Sequence, residues 1–191
     1  MGLQTSTQGY ILSSPQTVFT LQNLTVGTLD TNRMNLVKRL NYYVKNGVIR
    51  NLRRGVYAKK IYNEQEVACV MYAPCYISLQ YVLQRSGVIF QYDSTITSVS
   101  YLSREIIIDG KTYSYRKVKP AIMVERKGII CKDNISMATP ERAFLDTIYL
   151  YPDFYFDRID GLDKSKIMEL LPIYKNKKME KRVLTLLKDD E

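Results

Sequence analysis

The run Thr31–Ala58, TNRMNLVKRLNYYVKNGVIRNLRRGVYA, constrains this chain more than any other stretch. Leu36, Leu40, Tyr43 and Val44 recur at three-to-four-residue spacing, which places them on one face of a helix. Thr31 stands where a hydroxyl can cap the first free amides. Gly47 stands where a left-handed residue ends the last turn, and Lys45 suits the negative end of the helix dipole. The opposite face carries Asn32, Asn35, Lys38, Arg39 and Tyr42. Past the glycine, Val48–Arg50 and Val56–Ala58 are β-prone and flank Asn51–Gly55, which predicts a short hairpin with Arg53 and Arg54 at its tip. A helix with one apolar face cannot stand alone, so neighbouring elements must cover it.

Those neighbours are readable upstream. Val18 and Phe19 suit a short strand that joins the hairpin, Thr20 can cap a helix reaching Val26, and Gly27–Asp30 can turn the chain into the next helix. Residues 1–14 offer only Tyr10, Ile11 and Leu12 as an apolar patch, which predicts a short or irregular first helix. The order helix, strand, helix, turn, helix, hairpin predicts a winged helix-turn-helix over residues 1–60. Asparagine and arginine can make bidentate contacts to base edges, and lysine and tyrosine can hold phosphates. Candidate DNA contacts are therefore Thr31, Asn32, Arg33, Asn35, Lys38, Arg39 and Tyr42 on the helix, with Arg50, Arg53 and Arg54 on the hairpin. An ordinary solvated helix face carries similar charges, so the hairpin is what turns the reading toward DNA.

The location of charge agrees. Residues 1–60 hold nine lysines and arginines against Asp30 alone, a net of +8, whereas the remaining nineteen basic and eighteen acidic residues nearly cancel. Excess positive charge gathered on one third of a chain implies a polyanionic partner, here double-stranded DNA rather than a membrane, because no basic amphipathic helix with a broad aromatic face goes with it.

Other classes are narrowed by what is missing. There is no histidine, so imidazole-based triads, two-histidine metal sites and most proton shuttles are excluded. Cys69, Cys75 and Cys131 lack the paired spacing of a zinc site and each lies in an apolar run, which predicts buried free thiols in a reducing compartment. The most apolar stretch, Val67–Leu79, is broken by Pro74 and falls short of the roughly 20 residues needed to span a bilayer. The N-terminus lacks the basic and apolar regions of a signal peptide, and Met1–Ser6 fits the loose myristoylation pattern only by chance. The expectation is a cytoplasmic protein without cofactor, metal or catalytic residues.

Residues 61–191 read as a second, mixed α/β domain, joined through Lys59–Asn63, so the fold class expected is α+β. Asn63 can cap a helix over Glu64–Tyr72, and Ser78 another with Leu79, Val82 and Leu83 on its apolar face, ended by Gly87. Ile106–Ile108, then Asp109-Gly110, then Thr112–Val118 predict a hairpin, and Val99–Leu102 and Gly128–Cys131 further strands. Helices are predicted over Thr139–Leu150, with Pro140 at its first position, over Asp163–Leu171, and over Lys177–Lys188. Glu141, Arg142 and Asp146 form a polar set in the first of these. Residues 142 and 146 are four apart and can pair within the domain, and the set can alternatively contact a partner.

The sequence of motifs resembles a known family. Val18–Leu21, Leu40–Gly47, Leu52–Tyr57, Cys75–Leu79 and Ala138–Asp146 succeed one another as in the AbiEi antitoxins of bacterial abortive-infection systems, a likeness covering roughly residues 16–150. The resemblance implies an N-terminal winged helix that represses its own promoter and a C-terminal domain that counteracts a nucleotidyltransferase-type toxin. On DNA, specificity from so small a module implies an inverted repeat filled by a homodimer or by cooperative monomers. Three alternatives remain open: a stand-alone winged-helix regulator without a toxin, a metal-dependent nuclease built on Glu105, Asp109 and Lys111, and a pure interaction module.

Overall fold

The structure, a computed structural model, describes residues 6–28 and 32–189. It is mixed α and β with two sheets, and the chain divides into two compact units, Met1–Met71 and Tyr72–Glu191.

The first unit grows from short, strongly capped helices. Ser6 caps α1 (Thr7–Ser13) by accepting from the Gly9 amide. Of the apolar patch there, Ile11 is buried, Tyr10 packs beside it and Leu12 is exposed. β1 (Val18–Thr20) runs directly into α2 (Leu21–Gly27), where Thr20 and Asn23 close a capping box. α3 (Arg33–Lys45) is capped by Asn32, whose side chain accepts from the Asn35 amide at 3.1 Å. Thr31, the cap expected from the sequence, lies outside the described residues.

The way α3 ends sets where the hairpin begins. The Gly47 amide donates to Val44 O and the Val48 amide to Tyr43 O, a Schellman closure with Gly47 at φ 65°. The Val48 amide is thus tied to the helix and Ile49 is buried in the core, so the strand begins later than expected. β2 spans Arg50–Arg53 and β3 spans Val56–Ala58, with a register shift between Asn51 and Arg53. The turn is narrower than the sequence suggested: Arg53 ends the strand, and Arg54-Gly55 alone makes the tip. Both neighbours of β3 are antiparallel, in the order β1-β3-β2. Ile11, Phe19, Leu24, Leu36, Leu40, Ile49 and Tyr57 form the core. α4 (Glu64–Met71) belongs to the same unit because the buried Glu66 carboxylate accepts from the Thr17 and Val18 amides at 2.8 and 2.9 Å. The joint expected at residues 59–63 therefore lies within this unit.

The second unit is a six-stranded mixed sheet carrying helices. Its strands and helices in chain order are β4 (Cys75–Ile77), α5 (Gln80–Arg85), β5 (Ile96–Ser100), β6 (Arg104–Ile108), β7 (Lys111–Lys117), α6 (Pro120–Val124), β8 (Ile129–Lys132), β9 (Ile135–Ala138), α7 (Pro140–Leu150), α8 (Lys164–Leu170) and α9 (Lys177–Asp189). The sheet order is β6-β7-β5-β4-β9-β8, with β5/β7 and β4/β9 parallel and the other pairs antiparallel. The Asp109-Gly110 hairpin and α7, α8 and α9 fall where the sequence placed them. β4, α6 and β9 are additions, short elements whose apolar residues carry no periodicity long enough to read.

Two local expectations are corrected. Ser78 does not cap α5; its hydroxyl is drawn to Asp146, and the Tyr81 amide finds Thr97 Oγ1 on β5 instead. Of the three thiols, Cys75 is buried, Cys69 partly so and Cys131 exposed, because β8 is an edge strand with little over it.

Gly128 marks the tightest approach in this unit. It has φ 71°, and an added Cβ would lie 2.9 Å from Cβ of Arg142 and 3.1 Å from Leu170, while its carbonyl accepts from the Thr139 amide at 2.8 Å. Backbone strain and overlap with the start of α7 then act together. Gly128→Ala is expected to lower stability by about 2–3 kcal/mol, read as a fall in the urea midpoint at constant m. An unchanged midpoint would mean that the loop relaxes freely.

Candidate functional site

The exposed face of α3 is dictated by its buried one. Leu36 and Leu40 are fully buried and Tyr43 and Val44 partly so, which turns Asn35, Lys38, Arg39 and Tyr42, spaced three and four apart, outward together. Tyr42 is 64 % exposed and edges onto Tyr43 at 6.0 Å between ring centroids. Asn32 is exposed but taken up by the cap, and Arg33, three residues before Leu36, is exposed in phase with the buried stripe. Arg50, Arg53 and Arg54 are exposed along β2 and its turn, and the Arg50 guanidinium lies 5.6 Å from the centre of the Tyr62 ring. Thr31 is outside the described residues. The unit thus presents an amide, a guanidinium, an ammonium and a phenol on one helix face, and three more guanidiniums on a hairpin of the same unit.

The polar set on α7 lies elsewhere and behaves differently. Glu141, Arg142 and Asp146 are all buried, the last two at 0 % exposure. That removes the partner-contact role offered by the sequence, and their work in this structure is internal. Arg142 Nε donates to Asp146 Oδ1 at 3.3 Å, Nη2 to Tyr76 Oη at 3.0 Å and Ile122 O at 2.9 Å, and Nη1 to Lys127 O at 3.0 Å. The carboxylate also receives the hydroxyls of Tyr174 at 2.6 Å, Ser78 at 2.8 Å and Tyr76 at 3.2 Å. Burial pulls the Arg142 guanidinium down, but Asp146 and the two tyrosines override it and hold it above its ordinary value. Burial raises the Asp146 carboxyl above the ordinary aspartate value, while Arg142 and the three hydroxyls pull it back. Burial also lifts both phenols well above theirs, Asp146 adding to the effect, so they stay protonated and donate. Sequence spacing signals the 142–146 pair, but nothing local signals Tyr76, Ser78 or Tyr174, which arrive from distant segments.

Glu105, Asp109 and Lys111 are not brought together as a site. Glu105 pairs across the ladder with Ser114, whereas Asp109 is in the turn with φ 51°, four residues along and about 13 Å away at strand rise. Among the described residues no group of three or more carboxylates or thiols is placed to hold a metal ion, and no helix is long and apolar enough to cross a membrane.

Removing one partner of a buried pair strands the other. Asp146→Ala is expected to cost about 3–5 kcal/mol in chemical denaturation, leaving Arg142 buried with no counter-charge. A loss under about 1 kcal/mol would show that water or a rearranged side chain replaces the carboxylate. Compared with known proteins, the chain matches no family model and no curated sequence.

Proposed function

We propose that the first unit is a winged helix-turn-helix that reads double-stranded DNA, with α2 and α3 as the helix pair, α3 in the major groove and the β2–β3 hairpin as the wing. The observation that carries this reading is the alignment of Asn35, Lys38, Arg39 and Tyr42 on the exposed side of α3, in one compact unit with exposed Arg50, Arg53 and Arg54. The +8 charge of residues 1–60 against a nearly neutral remainder supports it. Arg53 and Arg54 hold the phosphate backbone or minor groove, and Asn35 and Arg39 discriminate bases. The target is an inverted repeat in the protein's own promoter, filled by a dimer or by two monomers acting cooperatively.

The motif order that resembles the AbiEi antitoxins supports the larger reading: an autorepressor in the bacterial cytoplasm whose second unit counteracts a nucleotidyltransferase-type toxin. That unit has its own core and a balanced charge, as expected of a domain that recognises by shape.

Two experiments test these parts separately. In a salt series on a duplex, the Arg53→Ala/Arg54→Ala protein should bind every sequence more weakly, with a salt slope lower by roughly two. Asn35→Ala or Arg39→Ala should instead cost roughly 1–3 kcal/mol on the preferred site only. Equal binding by the double variant would sink the wing assignment. For the second part, the nucleotidyltransferase that this reading expects to be encoded beside the protein is co-expressed with the full chain and with Arg53→Ala/Arg54→Ala. Growth should recover with both. Should neither restore growth, the chain is a regulator without a toxin partner.

A further inference from the structure

The sheet of the second unit is covered unevenly, and the uncovered part forms a cavity. Partners in register project to the same side of a sheet, so Tyr76, Val99, Thr97, Ser114, Arg116 and Glu105 share one face. α7 meets that face at Tyr76, through Arg142 and Asp146. Farther out, over β5, β7 and β6, a cavity of about 550 Å³ remains between the strands, the start of α5 and the chain beyond α7. That volume falls in the range of roughly 300–1,000 Å³ typical of small-ligand sites.

The lining has a definite chemistry. Asp93, Glu105 and Asp157 bring three carboxylates against one cation, Arg116. The Arg116 guanidinium is held to the wall, Nε donating to Tyr151 Oη at 2.8 Å and Nη1 to Tyr115 O at 3.4 Å. Asp157 and Asp93 each accept one backbone amide, from Phe90 and Thr95 respectively, and have an oxygen to spare. The Glu105 carboxylate makes no hydrogen bond or ion pair with any described residue. On the floor beside it Ser114 is only 4 % exposed, and its hydroxyl, which lines the cavity, is likewise without a partner among the described residues. Tyr151, Phe154 and the 78 % exposed Tyr155 give the wall aromatic faces.

We propose that this cavity binds an alkyl cation, a guanidinium or ammonium on a short carbon chain, carried either by a free amine or by an arginine or lysine of a partner. Carboxylates with aromatic faces are the combination that holds an organic cation. The carboxylates are not gathered closely enough for a metal ion. The net charge of the lining is negative, which favours a cation over an anion. Glu105 and the Ser114 hydroxyl engage the cationic head, and the aromatic wall covers its chain. The site stands whether or not the first unit reads DNA.

Calorimetric titration of the full chain tests this with three probes: agmatine, N-acetyl-arginine methylamide and sodium glutamate. Binding of at least one of the first two is expected, with glutamate at least tenfold weaker. Agmatine alone marks a free amine as the natural ligand; the blocked arginine, alone or with agmatine, marks a partner's side chain. Glu105→Gln on its exposed edge strand, and Asp93→Asn in an exposed loop, should each weaken binding fivefold or more, and Glu169→Gln on α8 should not. The proposal is overturned if neither cation binds below about 10 mM, if glutamate binds as well as they do, or if Glu105→Gln and Asp93→Asn leave binding unchanged.

Discussion

A guanidinium at zero exposure cannot be left to chance, and the second unit is arranged around satisfying Arg142. Its donors reach a carboxylate one helical turn away, a phenol on β4 and two backbone carbonyls, at Ile122 in α6 and Lys127 in the loop before β8. The carboxylate in turn gathers Ser78, Tyr76 and Tyr174, the last from the turn Leu171–Tyr174. Segments far apart in sequence are thereby fixed to one helix. Such a network is not a source of large net stability, since desolvating two charges offsets much of their attraction. What it supplies is position: any shift of β4 or of the chain at 122–128 leaves a buried polar group unpaired. Gly128 fits the same scheme, because only a residue without a side chain lets that loop lie against Arg142 Cβ.

The first unit is organised by the opposite principle. Its core is apolar and small, and the caps and turns do the orienting. The Thr20–Asn23 capping box, the Asn32 cap and the Gly47 closure fix where α2 and α3 start and stop. Leu36 and Leu40, buried in one cluster with Phe19, Ile49 and Tyr57, then fix the rotation of α3. The outward direction of Asn35 and Arg39 is a consequence of that rotation. The proposed reading of DNA therefore rests on packing as much as on the polar residues themselves.

Most of the first unit was legible because its signals are local. Helix spacing, caps and glycines gave α2, α3 and the hairpin; Asn32 caps α3, and the strand starts two residues later than the spacing suggests because the Val48 amide closes the helix. The second unit was legible only in part. The Asp109-Gly110 hairpin and the Pro140 start of α7 announce themselves, but β4 is three residues long and its apolar run reads equally as helix. For Glu141, Arg142 and Asp146, spacing says that two of them can meet but not that a sheet will close over them. The cavity was not legible at all: Glu105, Ser114 and Asp157 are brought to it by the strand order β6-β7-β5 and by the chain beyond α7.

The central claim is that the first unit reads duplex DNA through α3 and the hairpin. Amide hydrogen exchange of the full chain, with and without a duplex carrying its own promoter, tests this most directly. The account predicts slowed exchange over residues 33–45 and 50–58 on adding the duplex, with residues 96–117 unchanged. Protection confined to residues 72–189, or none at a duplex concentration that saturates binding, would contradict it.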